Sequence, residues 1–124
     1  MRAIFVFALT LFSFQDLQGQ EKNQMVRLAK LVIDPAQLER YKVFLKEEIE
    51  TSLRVEPGVL TLYAVAEKDH PNHITILEIY ADSAAYNAHL KTAHFIKYKT
   101  GTKNMVTSLE LTEADPIVPG MKIK

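Results

Sequence analysis

The chain has 124 residues, 48% of them hydrophobic and 24% charged, a balance that fits one globular domain and argues against a disordered chain. Fifteen basic residues offset fifteen acidic ones, so no field of one sign is available to hold nucleic acid. Cysteine is absent, which excludes a disulfide framework, thiol catalysis and thiolate-held iron. The expected partners are a small molecule and a second copy of the chain.

Residues Ala3 to Phe14 form an apolar run behind Arg2 and ahead of a polar segment ending in Gly19 and Gln20. The run is too short for a bilayer core, which needs about 20 apolar residues. It reads as an export signal over residues 1–19, leaving a mature domain over 20–124 with its core at about 25–112. The expected location is therefore outside the cytoplasm, in the periplasm, with no membrane attachment after cleavage.

Met25 to Ile33 alternates Val26, Leu28 and Val32 against Arg27, Ala29 and Leu31, which predicts a strand covered on both faces. Asp34 and Pro35 supply a helix cap and a first-turn proline. Leu38, Tyr41, Leu45, Ile49 and Ser52 or Leu53 then recur at helical spacing as far as about Arg54. Glu56-Pro57-Gly58 stops that helix, and Val59 to Ala66 and His73 to Tyr80 read as a strand pair joined by a polar loop. Asp82 or Ser83 caps a helix over Ala84 to Leu90, which is expected to break around Thr92 and resume toward Gly101. Met105 to Thr112 is the last strand.

The order β-α-β-β-α-β is that of a ferredoxin-like α+β fold with an antiparallel four-stranded sheet. Two helices cover one face of such a sheet. Apolar residues on the other face call for a second copy of the chain.

Among the four histidines, His89 and His94 stand five residues apart, about 140° on an unbroken helix. They converge only if the helix breaks near Thr92. This spacing is not that of a helical zinc site, and no third ligand is evident, so no metal is expected. Either imidazole has an intrinsic pKa suited to taking a proton from a phenol or quinol. The competing reading is structural, with the rings capping helix ends or packing against Glu78 and the tyrosines. His70 and His73 bracket a loop and are poor catalytic candidates. Tyr63, Tyr80 and Phe95 are candidates to line a pocket for a planar ligand, beside the other tyrosines, Tyr41, Tyr86 and Tyr98. Glu78 is the anomalous charge in an apolar strand and needs a partner, a histidine or Arg27.

The stretch from Glu78 to Tyr98, EIYADSAAYNAHLKTAHFIKY, with Glu56-Pro57-Gly58 ahead of an apolar strand, resembles the antibiotic biosynthesis monooxygenase family, particularly its quinol monooxygenase-like members. The resemblance covers about Met25 to Thr112. It implies a dimer whose two sheets pack as an α+β barrel. It also implies a monooxygenase without flavin, haem or metal, oxidising a quinol-like, phenolic or enolisable molecule with dioxygen. His94 or His89 would be the base, and Tyr63, Tyr80, Phe95 and Glu78 would surround the substrate. The chain lacks tryptophan and carries Ala29 where the haem-degrading branch is expected to have asparagine, which disfavours haem degradation. An isomerase or lyase on the same fold, and an exported small-molecule-binding module, are the alternatives.

Overall fold

The computed structural model describes residues 23–120; the expected export signal over 1–19 lies outside the described residues. Strand β1 (Met25–Ile33) leads through a short 3-10 turn (Pro35–Gln37) into helix α1 (Leu38–Val55), followed by β2 (Val59–Ala66) and β3 (His73–Tyr80). Helices α2 (Ser83–His89) and α3 (Ala93–Thr102) then precede β4 (Val106–Ala114). The four strands form one sheet in the order β2-β3-β1-β4, antiparallel throughout. The fold is the ferredoxin-like α+β arrangement expected from the sequence, with the second helix in two pieces.

The turns follow from local hydrogen bonding. Asp34 accepts from the Ala36 amide, and the tight turn this makes delays the α-helix to Leu38. The split between α2 and α3 is the work of Thr92. Its hydroxyl donates to the His89 carbonyl at 2.7 Å and accepts from the Phe95 amide at 3.3 Å. One side chain thereby satisfies an end of each helix and redirects the chain between them.

The helices cover a single face of the sheet. Ala29, Leu31, Ile33, Ile74 and Ile76 from the strands meet Tyr41 and Leu45 of α1, Tyr98 of α3 and Met105 in the main core. A smaller cluster of Val59, Leu62 and Tyr80 receives Ala85 and Tyr86 of α2. Gly58 permits that contact, since a Cβ there would stand 2.6 Å from the Ala85 Cβ.

Two surfaces stay open. On the helix side, Leu109 and Leu111 of the edge strand β4 are 44% and 52% exposed, because the helical layer does not extend fully over β4. On the opposite face, Tyr63 and Val65 of β2 are 64% and 48% exposed. By strand alternation they share that face with Val26, Leu28, Leu77 and Ile79.

Candidate functional site

Between the sheet and the helices lies a cavity of about 370 Å³. Its walls are mainly apolar, with Leu31, Leu45, Leu62, Ile76, Leu90 and Phe95 among them, and Leu109 and Leu111 at the β4 edge. The polar groups reaching it are Arg27 of β1, Glu78 and Tyr80 of β3, Glu48 of α1, Tyr86 and His89 of α2, and Tyr98 and Lys99 of α3. An apolar chamber with a few convergent polar groups is the usual form of a small-molecule site.

Strand pairing creates one polar wall. Arg27 and Glu78 stand directly opposite each other in the β1–β3 register. The Tyr80 hydroxyl donates to Glu78 Oε1 at 2.5 Å. Arg27 donates to the Tyr86 hydroxyl, its guanidinium carbon lies 4.4 Å from the centre of the Tyr86 ring, and a longer contact of 3.4 Å reaches Glu113. The Arg27 side chain is 12% exposed, and among the described residues its Nε has no hydrogen-bond partner. Burial is the main cause that holds the Glu78 carboxyl above its ordinary range, outweighing the Tyr80 hydroxyl and the Arg27 charge, which act the other way. Burial, reinforced by Glu78, also raises the Tyr80 hydroxyl. At the far end Tyr41 and Tyr98 share a hydrogen bond of 2.5 Å; burial pushes Tyr41 up to about 12.

Behind the other wall lies an ionic cluster. His89 Nδ1 is 2.8 Å from Glu56 Oε2, and its Nε2 is 3.2 Å from Glu48 Oε1. His94 Nε2 meets the same Glu56 oxygen at 2.7 Å. Ser52, one turn beyond Glu48 on α1, donates to the Glu48 oxygen at 3.0 Å. Burial by itself would lower the His89 pKa, but the two carboxylates overcome it and the net shift is upward. Burial would raise Glu56, and the hydrogen bonds from His89 and His94 overcome that to leave it lowered.

The structure treats the candidate residues unequally. Glu78, Tyr80, Phe95 and His89 line the cavity, whereas Tyr63 and His94 do not. Tyr63 points away from the helices because the register shifts between Val59 and Thr61. That extra residue turns everything after it to the opposite face. Both His89 nitrogens face carboxylates, and His94 Nε2 meets Glu56 outside the cavity lining. His70 in the loop and His73 at the start of β3 lie near Glu67, at 3.8 and 3.6 Å.

Glu48 and Glu56 had not stood out as site residues, although each carries a signal. Glu48 falls on the stripe with Tyr41, Leu45 and Ser52, all buried. Glu56 caps the C-terminus of α1, where the helix dipole disfavours an anion unless a cation answers it. Glu56 also supplies the third donor whose absence was the reason for expecting no metal, because Glu56, His89 and His94 place their donor atoms within 4.8 Å of one another.

A family model described as antibiotic biosynthesis monooxygenase matches residues 25–101. A solved structure from Bacteroides thetaiotaomicron, described by the same family name, is 62% identical, with 84% of this chain and 99% of that chain covered and a TM-score of 0.83. A Lactobacillus acidophilus structure described as a monooxygenase is 33% identical with a TM-score of 0.72; the match covers 73% of this chain and 43% of that one. A Nitrosomonas europaea structure at 19% identity shares the fold, with a TM-score of 0.72 over 78% of this chain and 93% of that one. No curated protein matches.

Proposed function

We propose, since the chain belongs to the antibiotic biosynthesis monooxygenase family, that it oxidises a quinol-like or phenolic small molecule with dioxygen, using side chains alone. The observation that carries this reading is the polar wall of Glu78, Arg27, Tyr80 and Tyr86 in a mainly apolar cavity. A planar aromatic ring fits the apolar walls, and its hydroxyl meets a side of the chamber where a carboxyl that can take a proton stands opposite a guanidinium that can hold an anion.

In this scheme Glu78 takes the phenolic proton. Burial raises its pKa, which brings a carboxylate closer to the strength a general base needs near neutral pH. Tyr80 fixes one of its oxygens and leaves the other for substrate. Arg27, opposite on β1, stabilises the phenolate as it forms. The electron-rich anion passes one electron to dioxygen, and the radical pair recombines to form a carbon–oxygen bond. Protonation and loss of water leave a quinone that retains one atom of the dioxygen. The protein contributes orientation and a water-poor chamber.

The working form is a dimer with the apolar sheet faces packed together, and the mature chain acts outside the cytoplasm. Oxygen uptake with a panel of substituted quinols tests the chemistry. The expectation is one dioxygen consumed per substrate, one labelled atom from ¹⁸O₂ in the product, and a loss of about a hundredfold or more in Glu78→Gln. Turnover without oxygen uptake would indicate an isomerase or lyase, and ligand binding without turnover a carrier. Either result would overturn the proposal.

A further inference from the structure

We propose that Glu56, His89 and His94 form a binding site for one divalent transition-metal ion of the zinc type, placed behind the cavity wall and apart from the substrate. The three residues come from different elements, the end of α1, the end of α2 and the start of α3, and the Thr92 break is what brings the two imidazoles together. Their donor atoms lie within 4.8 Å of one another. Ligands held about 2 Å from a tetrahedral metal stand roughly 3.3 Å apart, so small side-chain rotations close the set around an ion.

The surroundings match what a metal-bound histidine requires. A ligating imidazole nearly always donates its other nitrogen to a carboxylate or carbonyl, which fixes its tautomer. His89 presents Nδ1 to the cluster and Nε2 to Glu48 at 3.2 Å, and Glu48 is itself held by Ser52. Charge points the same way. Two carboxylates and two neutral imidazoles carry a charge of −2, which one divalent ion balances. The Glu56 and His94 side chains retain 13% and 14% exposure, giving an ion a way in from solvent and leaving a coordination position for water. Two nitrogens and one carboxylate oxygen suit zinc and its first-row neighbours better than calcium or magnesium. Of the three ligands only His89 reaches the cavity, and its Nδ1 faces Glu56, which with His94 lies outside the lining, so the ion's role is to tie three helix ends together.

The test uses the untagged full chain, stripped with chelator and titrated with Zn²⁺ and Co²⁺ by calorimetry and visible absorption. Expected results are one ion per chain, a dissociation constant below about 10 µM, cobalt bands of a low-coordinate nitrogen–oxygen site, and protons released on binding. Glu56→Gln and His94→Ala should each weaken binding at least tenfold, and Glu48→Gln by about 10–100-fold. A His70→Ala/His73→Ala double variant should bind as wild type, since those residues form a separate exposed group near Glu67. The absence of saturable binding, or binding that survives in Glu56→Gln and disappears in the His70/His73 variant, would overturn the proposal. Circular dichroism on each variant separates lost ligands from lost folding.

Discussion

Replacing His89 with alanine tests whether this residue holds the molecule together. The His89 side chain is 3% exposed, between Glu48 at 6% and Glu56 at 13%. His89→Ala leaves Glu48 buried with only the Ser52 hydroxyl, and removing one partner of a buried ion pair costs about 3–5 kcal/mol. That is a large part of the 5–15 kcal/mol by which domains of this kind are stable. At roughly 4–8 °C per kcal/mol for a domain of this size, the melting temperature should fall by at least about 12 °C. Melting is followed by circular dichroism at pH 6 in excess chelator, so that no bound metal contributes. A Glu48→Leu/His89→Leu double variant removes both charges and should recover most of the loss, because apolar replacement of a buried pair is often neutral or stabilising. A single variant melting within about 4 °C of wild type, or a double variant no better than the single, would refute the assignment of His89 as the hub of a buried ion pair.

Three further outcomes follow from the same structure. The folded pKa of His89 lies above 6.5 and that of Glu56 below 4.5, so the His89 contribution is complete below pH 6.5 and lost as pH rises through the raised value, and the Glu56 contribution is complete above pH 4.5 and lost as pH falls through the depressed one. The urea midpoint of wild type relative to Glu56→Gln should therefore be largest between about pH 4.5 and 6.5, and a flat difference would contradict the cluster. Gly58→Ala should destabilise by about 1–3 kcal/mol through overpacking, because its Cβ would meet Ala85 at 2.6 Å; an unchanged denaturation midpoint would show that α2 can shift. Light scattering should report twice the chain mass, and lysine at Tyr63 and Val65, which are 64% and 48% exposed in the single chain, should return it to the monomer; a wild-type monomer would remove the packed-sheet dimer.

The sequence revealed the elements more readily than their partners. The bounds of β1, β2 and β3 were legible because apolar runs meet sharp punctuation, Asp34-Pro35 before α1 and Glu56-Pro57-Gly58 before β2. The interruption at Thr92 was legible for a related reason: threonine is a weak interior helix residue with a hydroxyl that competes for backbone groups. β4 runs to Ala114, two residues beyond the expected end at Thr112, because pairing with Val26 continues that far. Strand length here is set by the partner. The facing of Tyr63 was not legible. Alternation counted from buried Val59 places it toward the helices, and a single irregularity in the β2–β3 register reverses the face.

The site's chemistry depended on what no periodicity contains, namely which charges share a neighbourhood. Three acidic side chains end up around one cavity wall or behind it, and the environments of Glu56 and Glu78 shift them in opposite directions. Glu56, bonded to two imidazoles, is held in the ionised form. Glu48 is committed to His89 and Ser52. Glu78 alone is held above the ordinary carboxylate range and keeps an oxygen free of the Tyr80 bond. Groups whose environments separate their pKa values are those whose acid and base roles can be assigned. In the proposed function the carboxyl of β3 is the group that takes the proton, and the histidines that drew attention in the sequence stand in the ionic cluster behind the wall. Exchanging Glu78 for glutamine should separate the two roles: since the folded pKa is raised, the ionised carboxylate weakens the fold as pH rises above 4.5, so the variant should be more stable than wild type at pH 7 while losing turnover. A variant both inactive and less stable would place Glu78 among the structural charges instead.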